Sequence, residues 1–382
     1  MQQKKPDTKK NNFPRMMGYI TGNWQFKAII LLILVSTFLD VQMPMMIGDI
    51  IDLISNISAG KALATWDGGI MGILLIPISQ WLATTYSLDP NYSALGTFII
   101  SLMLIAGTVA ILNYVIRYGG AWLSQRGTYG LRSDMYNSLL EQSFSFYDKQ
   151  RTGQLMARAT GDIDQIDRWF DVGLRMSVST VVLLTLVFIN LWSADVSLTL
   201  ITLIILPFLF VTMLTFGRKS FPVMQRMRQQ YGEITSVFQE NLMGIRVVRG
   251  FAQEKQEEEK IERELTKYFD LHIKTAKYRA FFLPLATLIT SIGFVMILWY
   301  GGNQVIVGAL SIGSLIAFYL YLTRIAQPVR MLGNISNLLL RADAAAGRVF
   351  ETIDAQIAVH DKPDAIEITK LNGHVQFDHV SF

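Results

Sequence analysis

The chain has 382 residues, 51% hydrophobic and 17% charged, with a mean hydropathy of +0.33. This is too apolar for a soluble domain of that length and reads as a protein that crosses a bilayer several times. The net charge of +4 then reflects basic cytoplasmic loops and not nucleic-acid binding, and the absence of cysteine excludes disulfides, thiolate metal sites and a cysteine nucleophile.

Lys4, Lys5, Lys9, Lys10 and Arg15 precede the first apolar run. That run, 28–47, is too long for the core of a signal peptide, and no small-residue cleavage pattern follows it. Residues 1–26 are therefore expected to be a cytoplasmic N-terminal segment ahead of a retained first span, 27–50. This span contains Asp40, Gln42 and Pro44 and is expected to kink. Residues 58–95 are polar apart from an apolar piece at 70–77, which is too short to cross and reads as an interfacial helix.

Span two begins near Leu95 and leaves the membrane near Arg117, yet the sequence stays helix-compatible and free of proline from Phe98 to about Phe146. At about 1.5 Å per residue this is roughly 70 Å of helix, against a hydrocarbon core of about 30 Å. More than half of it is expected to stand in water as a lever. Leu131, Met135 and Leu139, with Tyr136, Leu140 and Phe144, continue the helical period. A turn is expected at 148–153, followed by a returning helix marked by Leu155, Ala159, Ile163, Ile166 and Phe170.

Span three, 176–192, and span four, 196–216, are joined by only Ser193, Ala194 and Asp195, so they are expected to be antiparallel neighbours. Pro207 lies inside span four. A second charged helical section, 218–279, has its own turn at Met243 and Gly244. Span five, 281–299, leads through a Gly-rich link, 301–313, to span six, 314–332. The connecting segment 341–372 opens with an Ala-rich amphipathic helix at 341–351 and contains Pro363. Residues 373–382 alternate like a strand; a lone strand has no partner, so the segment reads as the start of a further domain. Of the 34 lysines and arginines only Lys61 falls in the three outer segments, which places both ends in the cytoplasm. The two halves share a layout, without a crisp sequence repeat.

Several segments carry a resemblance. Leu131-Arg132-Ser133-Asp134-Met135-Tyr136, then Phe146-Tyr147-Asp148, Thr152-Gly153-Gln154-Leu155 and Gly161-Asp162-Ile163-Asp164 look like the first intracellular loop of ATP-binding-cassette (ABC) exporters. Glu240-Asn241-Leu242-Met243-Gly244-Ile245-Arg246-Val247-Val248-Arg249-Gly250-Phe251 looks like the second. Gly308 to Leu315 is similar to the entry to the sixth span, Ala344 to Phe350 to its exit, and Gly373 to Phe382 to the opening strand of a nucleotide-binding domain. Together, in order and at these spacings, they resemble the multidrug-type half-transporter of that family over nearly the whole chain.

The resemblance implies an all-α membrane protein with six transmembrane helices and long cytoplasmic extensions (27–340), a linker (341–372) and the first strand of an α/β nucleotide-binding domain (373–382). It implies an exporter of amphipathic small molecules (drug, lipid or peptide) working by alternating access in a bacterial cell membrane. Its partners would be a second half-transporter, identical or not, and nucleotide-binding domains. ATP and Mg2+ would sit on those domains: residues 1–382 contain no Gly-x-x-x-x-Gly-Lys-Ser/Thr loop, whose backbone N–H groups, lysine and hydroxyl hold phosphates and magnesium. The chain alone is therefore not expected to hydrolyse ATP or to carry catalytic residues. An alternative is a regulatory membrane subunit that senses nucleotide without pumping; an ion-coupled carrier is disfavoured by the long levers.

The resemblance also implies two coupling helices that dock on the nucleotide-binding domains: Phe146, Tyr147, Asp148, Thr152 and Gly153 in the first, Glu240, Leu242, Gly244, Ile245, Arg246 and Val248 in the second. From the residues themselves, charges at membrane depth usually face a cavity or a partner. Asp40 and Arg324 are expected either to contact substrate or to belong to a structural polar pair, whereas Arg117 and Arg175, near inner ends, are expected to snorkel. Gln42, Met43, Met45, Met46, Phe318, Tyr319 and Tyr321 offer soft, repackable surface for a cavity, or simply pack the bundle. Pro44, Pro207, Pro284 and Pro328 are hinges or static kinks. The mixed charges at 254–264 read as a solvated helix face, and His272, His360, His374 and His379 lack metal-site spacing.

Overall fold

In a bilayer each backbone polar group must be satisfied within the chain, which favours helices. The structure, a computed structural model, describes residues 12–58, 84, 90–357, 364–366, 370 and 373–381. The helix expected at 70–77 and most of 356–372 lie outside the described residues. The elements are α1 (Asn12–Thr21), α2 (Trp24–Ser58), α3 (Pro90–Leu140), α4 (Phe144–Lys149), α5 (Thr152–Ala194), α6 (Val196–Met243), α7 (Ile245–Gly250), α8 (Glu254–Val307) and α9 (Ile312–Ile353). Among the described residues five helices, α2, α3, α5, α6 and α8, are long and apolar enough to cross a membrane, and α9 adds a shorter apolar stretch, Ile312–Ile325.

Four expectations need correction. The lever ends at Leu140, and Phe144–Lys149 forms a short helix of its own, so the turn at 148–153 shrinks to Gln150 and Arg151. The link 301–313 is helical through Val307. Gly301 is there because α8 meets Leu315 and Leu198, whose side chains occupy the space of a Cβ; the chain turns only at Gly308, which adopts φ +79°, a conformation open to glycine. The segment 341–353 continues α9 without a break. Residues 373–381 form no strand, since a strand needs a neighbour to receive its backbone hydrogen bonds.

The chain divides into two units. The first comprises Met1–Ile20, Gln125–Asp167 and Arg341–Phe382. Its α1 was not foreseen. Met16 and Ile20 are buried, and Tyr19 on the same face stacks on Phe350 and donates to Asp134 at 2.6 Å. Burial first, then this hydrogen bond to a carboxylate, holds the Tyr19 hydroxyl above its ordinary pKa. Arg15 forks onto both carboxylate oxygens of Asp354 (2.5 and 2.8 Å) and lies over the Phe350 ring. The end of α9 is held by Arg348 on Asp162 (2.8 and 2.6 Å) and by Ser138, which donates to the carbonyls of Thr352 and Ile353. Arg15→Ala is expected to cost about 1 kcal/mol, since a half-exposed pair contributes modestly and the ring contact adds a comparable amount. The measurement is amide hydrogen exchange over 12–20: it should speed up several-fold in Arg15→Ala, and unchanged exchange would show that α1 is held by its apolar face alone.

The second unit comprises Thr21–Ser124 and Arg168–Leu340. Its core joins α2, α5, α6, α8 and α9 through Val41, Leu191, Leu198, Ile297, Phe318 and Leu322. Between membrane helices this packing is driven by close fit and hydrogen bonds, because lipid tails are as apolar as leucine. Asp195 is the lone residue between α5 and α6, and its carboxylate accepts from the Leu198 N–H at 2.7 Å as an N-cap. All four expected prolines lie inside helices, as does Pro222, and each of these removes one helical hydrogen bond.

Candidate translocation cavity and coupling helices

A cavity of about 430 Å³ opens within the second unit between α2, α3, α5 and α9. Asp40 and Arg324 both line it. They are paired: the Arg324 guanidinium donates to the Asp40 carboxylate and to the Asp40 carbonyl, each at 2.6 Å, and approaches Met43 Sδ at 4.0 Å. Geometry thus gives these two charges a structural contact and a cavity address at once. Arg175 lines the same cavity, which the snorkelling expectation did not include; Arg117, one residue beyond the lining Ile116, is exposed and is not among the lining residues.

The other cavity candidates lie elsewhere. Phe318 and Tyr321 are buried in the core, and the Tyr321 hydroxyl donates to the Val41 carbonyl at 2.8 Å while accepting from Asn190 at 3.3 Å. Both residues, with Met45, border a small space of about 30 Å³ instead. Gln42 is buried on α2, outside the larger cavity.

Two local features aim side chains in a way that periodicity cannot reveal. Helix α5 contains π turns at Arg158–Asp162 and Trp169–Gly173. Each inserts an extra residue, and one residue rotates everything after it by about 100°. The second lies just before Arg175 and so sets which face that arginine occupies.

At the first expected coupling site, α4 presents Tyr147 and Asp148 to solvent, with Phe146 half-buried and edge-on to the Tyr147 ring. Tyr147 donates back to the Leu139 carbonyl at 2.6 Å, which ties α4 to the end of α3. Thr152 and Gly153 open the next helix and do not belong to α4. At the second, Gly244 ends α6 and α7 follows at once. Leu242 is 71% exposed, Met243 90% and Phe251 73%, an apolar knob with Glu240 and Arg246 beside it. Behind it, Lys260 of α8 reaches Glu240 of α6 at 2.8 Å, and that hydrogen bond raises the Lys260 pKa. Gln230 and Lys267 meet Glu264 at 2.5 and 2.6 Å, so the charged run at 254–264 ties α8 to α6 in addition to meeting solvent. Among the described residues no cluster of three metal-ligating side chains occurs.

The profile of the ABC transporter transmembrane region matches residues 26–329. The chain belongs to this family. The match takes in α2 to α8 and both short helices and stops within α9. Among curated relatives, the chain is 30% identical to the ATP-dependent lipid A-core flippase of Syntrophus aciditrophicus (strain SB) over 77% of its own length and 49% of the relative's. It is 28% identical to the uncharacterized ABC transporter ATP-binding protein YknV of Bacillus subtilis (strain 168), over 81% and 52%. It is also 28% identical to the putative multidrug export ATP-binding/permease protein YgaD of that organism, over 71% and 47%. The chain spans about half the length of the curated relatives it matches. In this ABC transmembrane region, α4 holds Phe146, Tyr147 and Asp148 of the first expected set, and α7 holds Ile245, Arg246 and Val248 of the second.

Proposed function

We propose that the chain is the membrane-spanning part of an ATP-driven exporter that moves amphipathic small molecules out of the cytoplasm by alternating access. It would pair with a second half-transporter, identical or not, each supplying one wall of the pathway. The observation that carries this reading is α7: a compact helix with exposed apolar flanks at the closed end of the long α6–α8 hairpin. Such a knob has no use in lipid and suits a soluble domain that pushes on it. The distribution of lysine and arginine supports cytoplasmic ends, and the relatives' names support a lipid or drug cargo in a bacterial cell membrane. ATP and Mg2+ would be held by nucleotide-binding domains; no described residue of this chain is assigned to them.

The test uses the complete transporter reconstituted in liposomes. Phe146→Ala and Gly244→Val are expected to lower substrate transported per ATP hydrolysed at least fivefold, with nucleotide binding unchanged. At Gly244 a Cβ would lie 3.2 Å from the Glu240 carbonyl oxygen, so a branched side chain displaces α7. Variants that transport normally for each ATP would remove the coupling assignment.

A further inference from the structure

The cavity between α2, α3, α5 and α9 carries an unbalanced charge. Its charged lining residues are Asp40, Arg175 and Arg324. Asp40 and Arg324 neutralise each other at 2.6 Å. That leaves Arg175, and among the described residues no carboxylate is paired with it. A half-buried guanidinium lining a cavity with no counter-charge is costly, so the site gains most by admitting an anion. Neutral hydrogen-bonding side chains line the same space: Asn113 on α3, Ser179 and Thr180 on α5, Gln327 on α9. The planar fork of an arginine matches the oxygens of a phosphate or carboxylate. Met176 and Leu183 provide apolar wall within the same cavity, and its volume falls in the range of ligand sites, about 300–1,000 Å³.

We propose that Arg175 recognises the anionic group of the transported amphiphile, so that the preferred cargo carries a single phosphate or carboxylate on an apolar body. This rests on the reading of the chain as an amphiphile exporter and adds the sign of the cargo's charge. Asp40 and Arg324 then serve as a neutral wall: the pair fixes α2 to α9 and leaves one positive charge free for the ligand. The π turn Trp169–Gly173 positions the arginine, because without its extra residue Arg175 would point about 100° away.

The full 382-residue chain in a non-ionic detergent is titrated with a short-chain phosphatidic acid and, separately, with the phosphatidylcholine of the same acyl chains, and bound lipid is counted by native mass spectrometry. The phosphatidic acid should bind at least tenfold more tightly. Arg175→Gln should abolish that preference, Arg175→Lys should retain part of it, and Lys277→Gln, an exposed cation outside the cavity, should leave it intact. Since Arg175 has no acid partner to orphan, its replacement is expected to leave thermal stability unchanged. Millimolar inorganic phosphate that displaces the lipid would assign the site to a free anion; phosphate that fails to compete would assign it to a lipid headgroup. Either supports the anion subsite. Equal binding of both lipids, or a preference that survives in Arg175→Gln, overturns the proposal and leaves the exporter reading standing. If neither lipid binds at all, the proposal and the amphiphile reading fall together.

Discussion

Arg324→Ala should destabilise the chain more than the double replacement of Arg324 and Asp40. The single change leaves the Asp40 carboxylate inside the bundle with its charge-assisted partner gone, while the carbonyl of Asp40 loses a donor as well. Removing one member of a buried ion pair costs about 3–5 kcal/mol, and a lone charge near the centre of a membrane helix costs about 2.5–3.5 kcal/mol on insertion scales. Here the two side chains retain 29% and 36% exposure through the cavity, and water there brings the cost below both ranges, to about 2 kcal/mol. Asp40→Asn with Arg324→Ala removes both charges and should recover most of that amount. The four proteins of the cycle, unfolded in a detergent titration, give the coupling energy directly. A coupling near zero would mean that solvent screens the contact completely and that α2 and α9 are held by other groups. Conversely, a large coupling with unaltered lipid binding would separate the structural role of this pair from the recognition role given to Arg175.

What the sequence revealed and what it hid divide along a physical line. Asp40 and Arg324 stood out because each is a charge within an apolar run, and no ordinary packing explains that. The connection at 193–195 and the turn at Met243 and Gly244 stood out because so few residues between two long helical patterns leave the chain no other course. The lever of α3 was legible from length alone, though its end at Leu140 was not. In contrast, the division of Phe318 and Tyr321 from the cavity could not be read. Every face of a membrane helix is apolar, so periodicity does not separate a core side chain from a lipid-facing or cavity-facing one. The π turns were hidden for a related reason: one inserted residue shifts the phase of a pattern but leaves its composition unchanged. Helix α1 was missed although Met16, Tyr19 and Ile20 have helical spacing; the basic residues around them suggested a plain cytoplasmic tail. The alternation at 373–382 is a preference for strand geometry, and such a preference becomes structure only beside another strand.

Gly313→Ala is expected to be the most damaging small substitution in the membrane unit. Helices α2 and α9 cross where Gly48 faces Gly313, so closely that a Cβ at position 48 would lie 2.5 Å from the Gly313 carbonyl oxygen and 2.9 Å from its carbon. A Cβ at position 313 would meet the Gly48 carbonyl oxygen and the Asp52 carboxylate. The same carboxylate accepts the Gly313 N–H at 2.7 Å, satisfying a buried donor in the first turn of a helix. Small residues at such crossings let backbones approach and are a main source of affinity between membrane helices. Overpacking typically costs about 1–3 kcal/mol, and the upper part of that range applies because the nearest obstructing atom is the Gly48 backbone carbonyl, which cannot rotate away, and the other is the Asp52 carboxylate, which can move only by giving up the Gly313 N–H. Gly302→Ala provides the contrast. That glycine also lies in a helix, but nothing stands within 4 Å of its would-be Cβ, so alanine should stabilise by about 0.5–1 kcal/mol through helix propensity. Thermal unfolding of the two variants should therefore shift in opposite directions. If Gly313→Ala melts with the parent, α2 and α9 do not touch at this crossing, and the hydrogen bond from Gly313 to Asp52 cannot be what holds their ends together.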